Sequence, residues 1–177
     1  MIEVRALRPD DDRSKFRSGQ PDLDRFFHRY AGQNQFRHHI GITYVAVDDK
    51  AEQQPIVGFA TVSASQIEVT DLPPGQRKRL PQYPLPVLRL ARLAVDEGAQ
   101  GQGVGLHLLR AVFILARQMA DEVGCVGVVV DAKPEAIGFY KRFGFEVIAD
   151  LVEGEIGDRP KPTPMLLPLR LIPVMKT

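Results

Sequence analysis

Apolar and polar residues alternate in IEVRAL, residues 2–7, and that period predicts a strand. Pro21 and Asp22 then open LDRFFHRYAGQNQF, where helical spacing puts Leu23, Phe26, Phe27 and Tyr30 on one face. ITYVAV (42–47) and IVGFATVSAS (56–65) read as strands, turned by Asp48, Asp49 and Lys50. The connector that follows carries Pro73, Pro74, Pro81, Pro84 and Pro86 and cannot hold a long helix. VLRLARLAV (87–95) resumes as a strand, and a regular strand sends Arg89 and Arg92 to opposite faces. A glycine loop leads into a helical pattern from about Val104 to Val123, capped by Gly124. CVGVVVDA is nearly all apolar, as befits a strand buried on both faces. PEAIGFYKRF is a short helix opened by Pro134. FEVI and MLLPLRLI close the chain as strands, with the loop EGEIGDRPKPTP between them expected to be mobile. The order is that of a mixed α/β domain whose longest helix follows a central strand through the glycine loop.

Composition narrows this picture. A chain of 177 residues is most simply one domain, here 1–177, and 44% hydrophobic with 25% charged residues is ordinary for a globular protein. A formal net charge of +1 leaves no global field toward nucleic acid or membrane, so such binding needs a local patch. A single cysteine, Cys125, excludes an internal disulfide and fits a reducing compartment. The start, MIEVRALRPDDD, lacks the apolar run of a signal peptide, and no segment approaches a membrane span. A cytoplasmic protein is expected.

Gly101, Gly103 and Gly105 punctuate the loop between strand and helix. At a helix start the first N–H groups lack internal partners, and the dipole adds partial positive charge. Glycines let an anion reach the backbone there, so the loop reads as a phosphate or pyrophosphate cradle. A Walker A loop would need Lys and then Ser or Thr after its last glycine; Val104 and Leu106 stand there instead. A G-x-G-x-x-G fingerprint fails at Leu106 counted from Gly101 and at Leu108 counted from Gly103. On these residues alone, a glycine-rich turn without a ligand stays open.

The stretch Gln100-Gly101-Gln102-Gly103-Val104-Gly105 resembles the acetyl-CoA pyrophosphate loop of the GNAT superfamily of N-acetyltransferases. EAIGFYKRFGF (135–145) resembles that superfamily's second signature. LDRFFHRYAGQNQ, LPQYPLPVLRLARLAVD and VVVDAKPEAIGFYKRFGF resemble the branch that contains tRNA-acetylating toxins partnered by ribbon-helix-helix antitoxins. The resemblance implies the GNAT fold, a central mixed, mostly antiparallel sheet flanked by helices. It implies acetyl-CoA as cofactor, aminoacyl-tRNA as acceptor, a possible antitoxin partner and a homodimer. It places the acetyl-pantetheine arm along Leu93, Ala94 and Val95, with the Val95 N–H toward the thioester carbonyl. It assigns Gln102, Gly103, Val104, Gly105 and Leu106 to the pyrophosphate, and Gln100, Gly101, Lys133 and Phe139 to the cofactor. Lys133 departs from the asparagine often found there, which puts the pantetheine contact in question.

Tyr140 is the candidate general acid. An ordinary phenol, with a pKa of about 10, is protonated at neutral pH and can donate to a departing thiolate. Packing beside Phe139 and Phe143 is its plain alternative role. No paired-carboxylate base stands in the central motifs, and a turn is the expected place of Asp96 and Glu97. A lysine amine is only about 0.04% neutral at pH 7, whereas an α-amine is roughly 10% neutral. An α-amine acceptor therefore suits this chain better than a lysine.

Between Leu72 and Val95 there are five basic residues, Arg77, Lys78, Arg79, Arg89 and Arg92, and no acidic one. They are the candidate tRNA contacts, with a solvated basic turn as the alternative; Arg25 and Arg29 add to them. Cys125 is expected to pack in the core. His38 and His39 are adjacent, a poor metal geometry, His107 is expected at an exposed helix position, and no metal is expected. Two other readings remain at this level. One keeps the fold with a small amine, polyamine or protein N-terminus as acceptor. The other is a non-catalytic acyl-CoA-binding module.

Overall fold

In the computed structural model, which describes residues 1–148 and 162–174, the predicted alternations become strands. These are β1 (Ile2–Ala6), β2 (Ile42–Asp48), β3 (Ile56–Ile67), β4 (Leu85–Val95), β5 (Gly127–Ala132), β6 (Glu146–Val147) and β7 (Thr163–Pro168). They belong to a seven-stranded mixed sheet, in the order β1-β2-β3-β4-β5-β7-β6. The chain divides into two compact units, Met1–Ser63 with Leu90–Val112, and Ala64–Arg89 with Phe113–Thr177. No helix of the described residues is long and apolar enough to cross a membrane.

In the first unit, β1 and β2 pair antiparallel from Ile2↔Asp48 to Ala6↔Tyr44, and β2 pairs antiparallel with β3. Its core is aromatic. Phe27 stacks on Phe59 at 4.4 Å between centroids, and Phe16 meets both edge-on. The helical stretch that delivers Phe27 is not a uniform α-helix. It runs as α1 (Pro21–Arg25), a π-helical turn (Phe26–Tyr30) and α2 (Ala31–Phe36). The Ala31 N–H bonds to Phe26 O, five residues back. That one extra residue moves the buried stripe. Leu23, Phe26 and Phe27 are buried as expected, but Tyr30 is 42% exposed and Ala31 is buried in its place.

In the second unit, β5 pairs antiparallel with β7 from Gly127↔Pro168 to Ala132↔Thr163, and β6 pairs with β7. Four of the six β5 residues in sequence, Gly127 to Val130, are buried, and Asp131 alone is exposed. The connector supplies only a four-residue helix, α3 (Pro74–Arg77), and packs Val69 and Leu72 against Val129 and Leu166. The closing strand is shorter than expected. Beyond Pro168, β5 offers no further partner, so the Leu169 N–H bonds Val126 O and Leu169–Leu171 form a 3-10 turn. The expected mobile loop covers 153–164; its residues 153–161 lie outside the described residues, and Thr163 and Pro164 belong to β7.

The long helix α4 (Val104–Glu122) starts in the first unit and ends in the second. Gly124 stops it with a φ of 105°, its N–H bonded to Met119 O at 2.8 Å. A 3-10 turn (Pro134–Ala136) leads into α5 (Ile137–Arg142).

Candidate active site

The glycine loop is built as a bare backbone surface. Gly101 and Gly103 have φ of 77° and 83°, a region that other residues enter at a cost. A Cβ placed on either would meet nothing within 4 Å, so open space lies beside the backbone at both. Gly105 falls in the first turn of α4, whose opening N–H groups have no partner within the helix. Val104, buried, anchors that turn. This is a cradle with room for a pyrophosphate, and the residues fit an acyl-CoA.

The side chains around the loop hold its shape. Gln100 Nε2 donates to Ser18 O at 3.1 Å and to Val95 O at 3.2 Å, so this amide ties the loop to the end of β4 and is not offered to a ligand. Gln102 Nε2 turns back to Gly98 O, leaving its backbone for the cradle. Asp96 accepts from the backbone N–H groups of Gly98 and Arg17, which makes it a turn cap, not a base. Glu97, exposed, donates its N–H to Arg17 O. At the end of β4, the Ala94 side chain is buried in the aromatic core, so only its backbone can serve a cofactor. Leu93, Val95 and Leu106 are half-buried.

In the second unit, Tyr140 on α5 is 5% exposed and meets Phe139 and Phe145 edge-on at 5.2 and 5.3 Å. Phe139 in turn meets Phe143. The Tyr140 hydroxyl has no hydrogen-bond partner among the described residues, yet no buried side-chain polar atom is left unsatisfied. Burial pushes the phenol well above its ordinary pKa, so it holds its proton throughout the neutral range. The Cys125 thiol, buried and donating to Gly127 O, is also pushed up by burial, in keeping with a packing role. Lys133 precedes the 3-10 turn before α5 and is half-buried.

The basic residues divide into separate duties. Arg77 is committed to its own connector, donating from Nε to Leu72 O at 2.6 Å and from Nη2 to Thr70 O at 2.9 Å. Arg89 Nη1 lies 2.6 Å from Asp131 Oδ2, and its Nε bonds Ser65 Oγ, so its charge is already met. The sequence reading missed Asp131, though a carboxylate inside an otherwise apolar strand was a usable signal. Arg92, in the first unit, sits 3.8 Å from the Phe26 ring centroid. Burial lowers its pKa, and the charge of Asp22 offsets part of that shift. Nothing in the sequence announces that pairing. Lys78 and Arg79 are exposed and line a groove together with Arg170, which sequence reasoning left out. His38 and His39 are exposed, and His107 is half-buried where an exposed position was expected.

A family model of the acetyltransferase (GNAT) domain matches residues 39–147. A tRNA-acetylating toxin of Mycobacterium tuberculosis is 34% identical over 81% of this chain and 83% of its own. The crystal structure of a tyrosine-to-phenylalanine mutant of KacT superposes with a TM-score of 0.83 at 26% identity, covering 97% of this chain and 96% of that one. AtaTR bound with AcCoA gives a TM-score of 0.76 at 25% identity, covering 97% and 95%. The half-chain family match, the toxin relative and the glycine cradle agree, and this chain belongs to the GNAT acetyltransferases.

Proposed function

We propose that this acetyltransferase acetylates the α-amino group of an aminoacyl-tRNA and so blocks translation, as the toxin of a toxin–antitoxin pair. The observation that carries the acceptor is the match, across most of both chains, to a relative named as a tRNA-acetylating toxin. Acetyl-CoA, when bound, supplies the activated acetyl group. The backbone of Gly101, Gln102, Gly103, Val104, Gly105 and Leu106 holds its pyrophosphate. The Val95 N–H polarises the thioester carbonyl, and Leu93, Ala94, Lys133 and Phe139 flank the arm. Tyr140 donates its proton to the departing thiolate. An α-amine needs little help to lose its proton near neutral pH, and Asp96 is spent on capping.

A polyanionic acceptor needs cations on the surface that meets it. In the first unit Arg92 and the exposed Arg25 and Arg29 serve this role. The protein acts in the cytoplasm, where charged tRNAs are, as a homodimer restrained by a ribbon-helix-helix antitoxin. Induced expression in a bacterial host tests the reading. Wild type is expected to arrest translation and Tyr140→Phe to permit growth. Arrest that persists in the mutant would remove Tyr140 from the chemistry. Unimpeded translation with soluble, acetyl-CoA-binding wild type would remove the toxin role.

A further inference from the structure

A groove of about 690 Å³ lies wholly within the second unit, between the connector and the end of β7. Its ionisable lining is one-signed. Lys78, Arg79 and Arg170 border it, and no acidic residue does. All three cations are exposed, and none forms an ion pair within 4 Å with a carboxylate of the described residues. Its floor is aliphatic, with Leu80, Val126, Leu166 and Leu169 among the lining residues. No aromatic residue of the described chain lines it.

Both walls are fixed by hydrogen bonds to backbone carbonyls. Arg77 holds the connector through the carbonyls of Leu72 and Thr70. On the other side, the Leu169 N–H bonds Val126 O, and Arg117 donates to the carbonyls of Leu169 and Ile172. A groove ordered before binding loses less freedom when a ligand enters it.

We infer that this groove docks an acidic peptide segment of a protein partner, anchored by aliphatic side chains. The one-signed rim selects negative charge, and the aliphatic floor selects Leu, Ile or Val between those charges. An RNA strand fits less well. Unpaired bases are held by stacking on aromatic rings, and this groove has none. The residues that line the groove belong to the second unit, and those of the glycine cradle to the first.

The test pans a random peptide library against the intact chain and, separately, against the double variant Arg79→Glu and Arg170→Glu. Reversing exposed charges is expected to leave the melting temperature unchanged, which shows the variant folded. Peptides enriched on wild type are expected to carry net negative charge with recurring aliphatic residues. Their affinity should fall roughly tenfold or more on the double variant, and again on Lys78→Glu. Enrichment of neutral or basic peptides, or equal binding to wild type and variants, would overturn the inference. So would a single-stranded RNA oligonucleotide that binds through these three cations while the acidic peptides do not.

Discussion

A side-chain carbon on Gly58 would stand 2.8 Å from Cγ1 of Val104, the residue that opens α4. The same carbon would lie 3.1 Å from Leu108 and 3.2 Å from the carbonyl oxygen of Ala94. The absent side chain on β3 thus lets the start of α4 seat against the sheet, and the start of α4 is one side of the cradle.

Gly58→Ala is therefore expected to push Val104 outward. The cost of overpacking is about 1–3 kcal/mol, because the Ala94 carbonyl is backbone and cannot swing away. Thermal melting should show the loss, and calorimetry with acetyl-CoA should show weaker binding. An unchanged affinity would separate the seat of α4 from the cradle.

Gly103→Ala acts differently. Its φ of 83° strains any residue with a side chain, by about 1–2 kcal/mol, although no neighbour is struck. The added methyl group occupies the open space assigned to the pyrophosphate. The stabilisation that acetyl-CoA gives by mass action should drop or vanish. Melting curves with and without acetyl-CoA measure both effects at once.

Tyr140→Phe is expected to lower kcat by about 10²–10⁴ with little change in KM for acetyl-CoA. The pKa sign gives a second readout. Folding raises the phenol above its unfolded value near 10, so the folded state holds the proton longer. Its contribution to stability is complete below pH 10 and is lost as pH rises beyond it. Chemical denaturation across that range should show stability falling less steeply in Tyr140→Phe than in wild type.

Arg92→Gln removes a cation held against the Phe26 ring. Binding of charged tRNA should weaken, with a salt slope smaller by about one. KM for acetyl-CoA should stay the same. A filter-binding titration over a salt series decides it, and an unchanged slope would take Arg92 out of the tRNA contact.

The parts legible in the sequence are those set by local spacing. QGQGVG announces its loop because positive φ and a helix start leave their mark within six residues. The strands follow from alternation, and the cap at Gly124 from one glycine. What escaped depends on distant partners or on one displaced hydrogen bond. Tyr30 fits an apolar stripe of 3.6 period, and only the Ala31-to-Phe26 bond turns it outward. Arg89 looks free until Asp131, 42 residues away, comes within 2.6 Å. Gln100 looks like part of the cradle until Ser18 takes its amide, across 82 residues. Charge on a linear map counts cations, but their availability is decided by the fold.

The central claim is tested most directly by incubating the protein with labelled acetyl-CoA and a pool of charged tRNAs, beside polyamines and peptides. Digestion of the tRNA and mass spectrometry of the released aminoacyl-adenosine then locate the acetyl group. The account predicts an N-acetylated α-amine on the aminoacyl-adenosine, absent with Tyr140→Phe. Label confined to polyamines or peptides, with charged tRNA untouched, would contradict it.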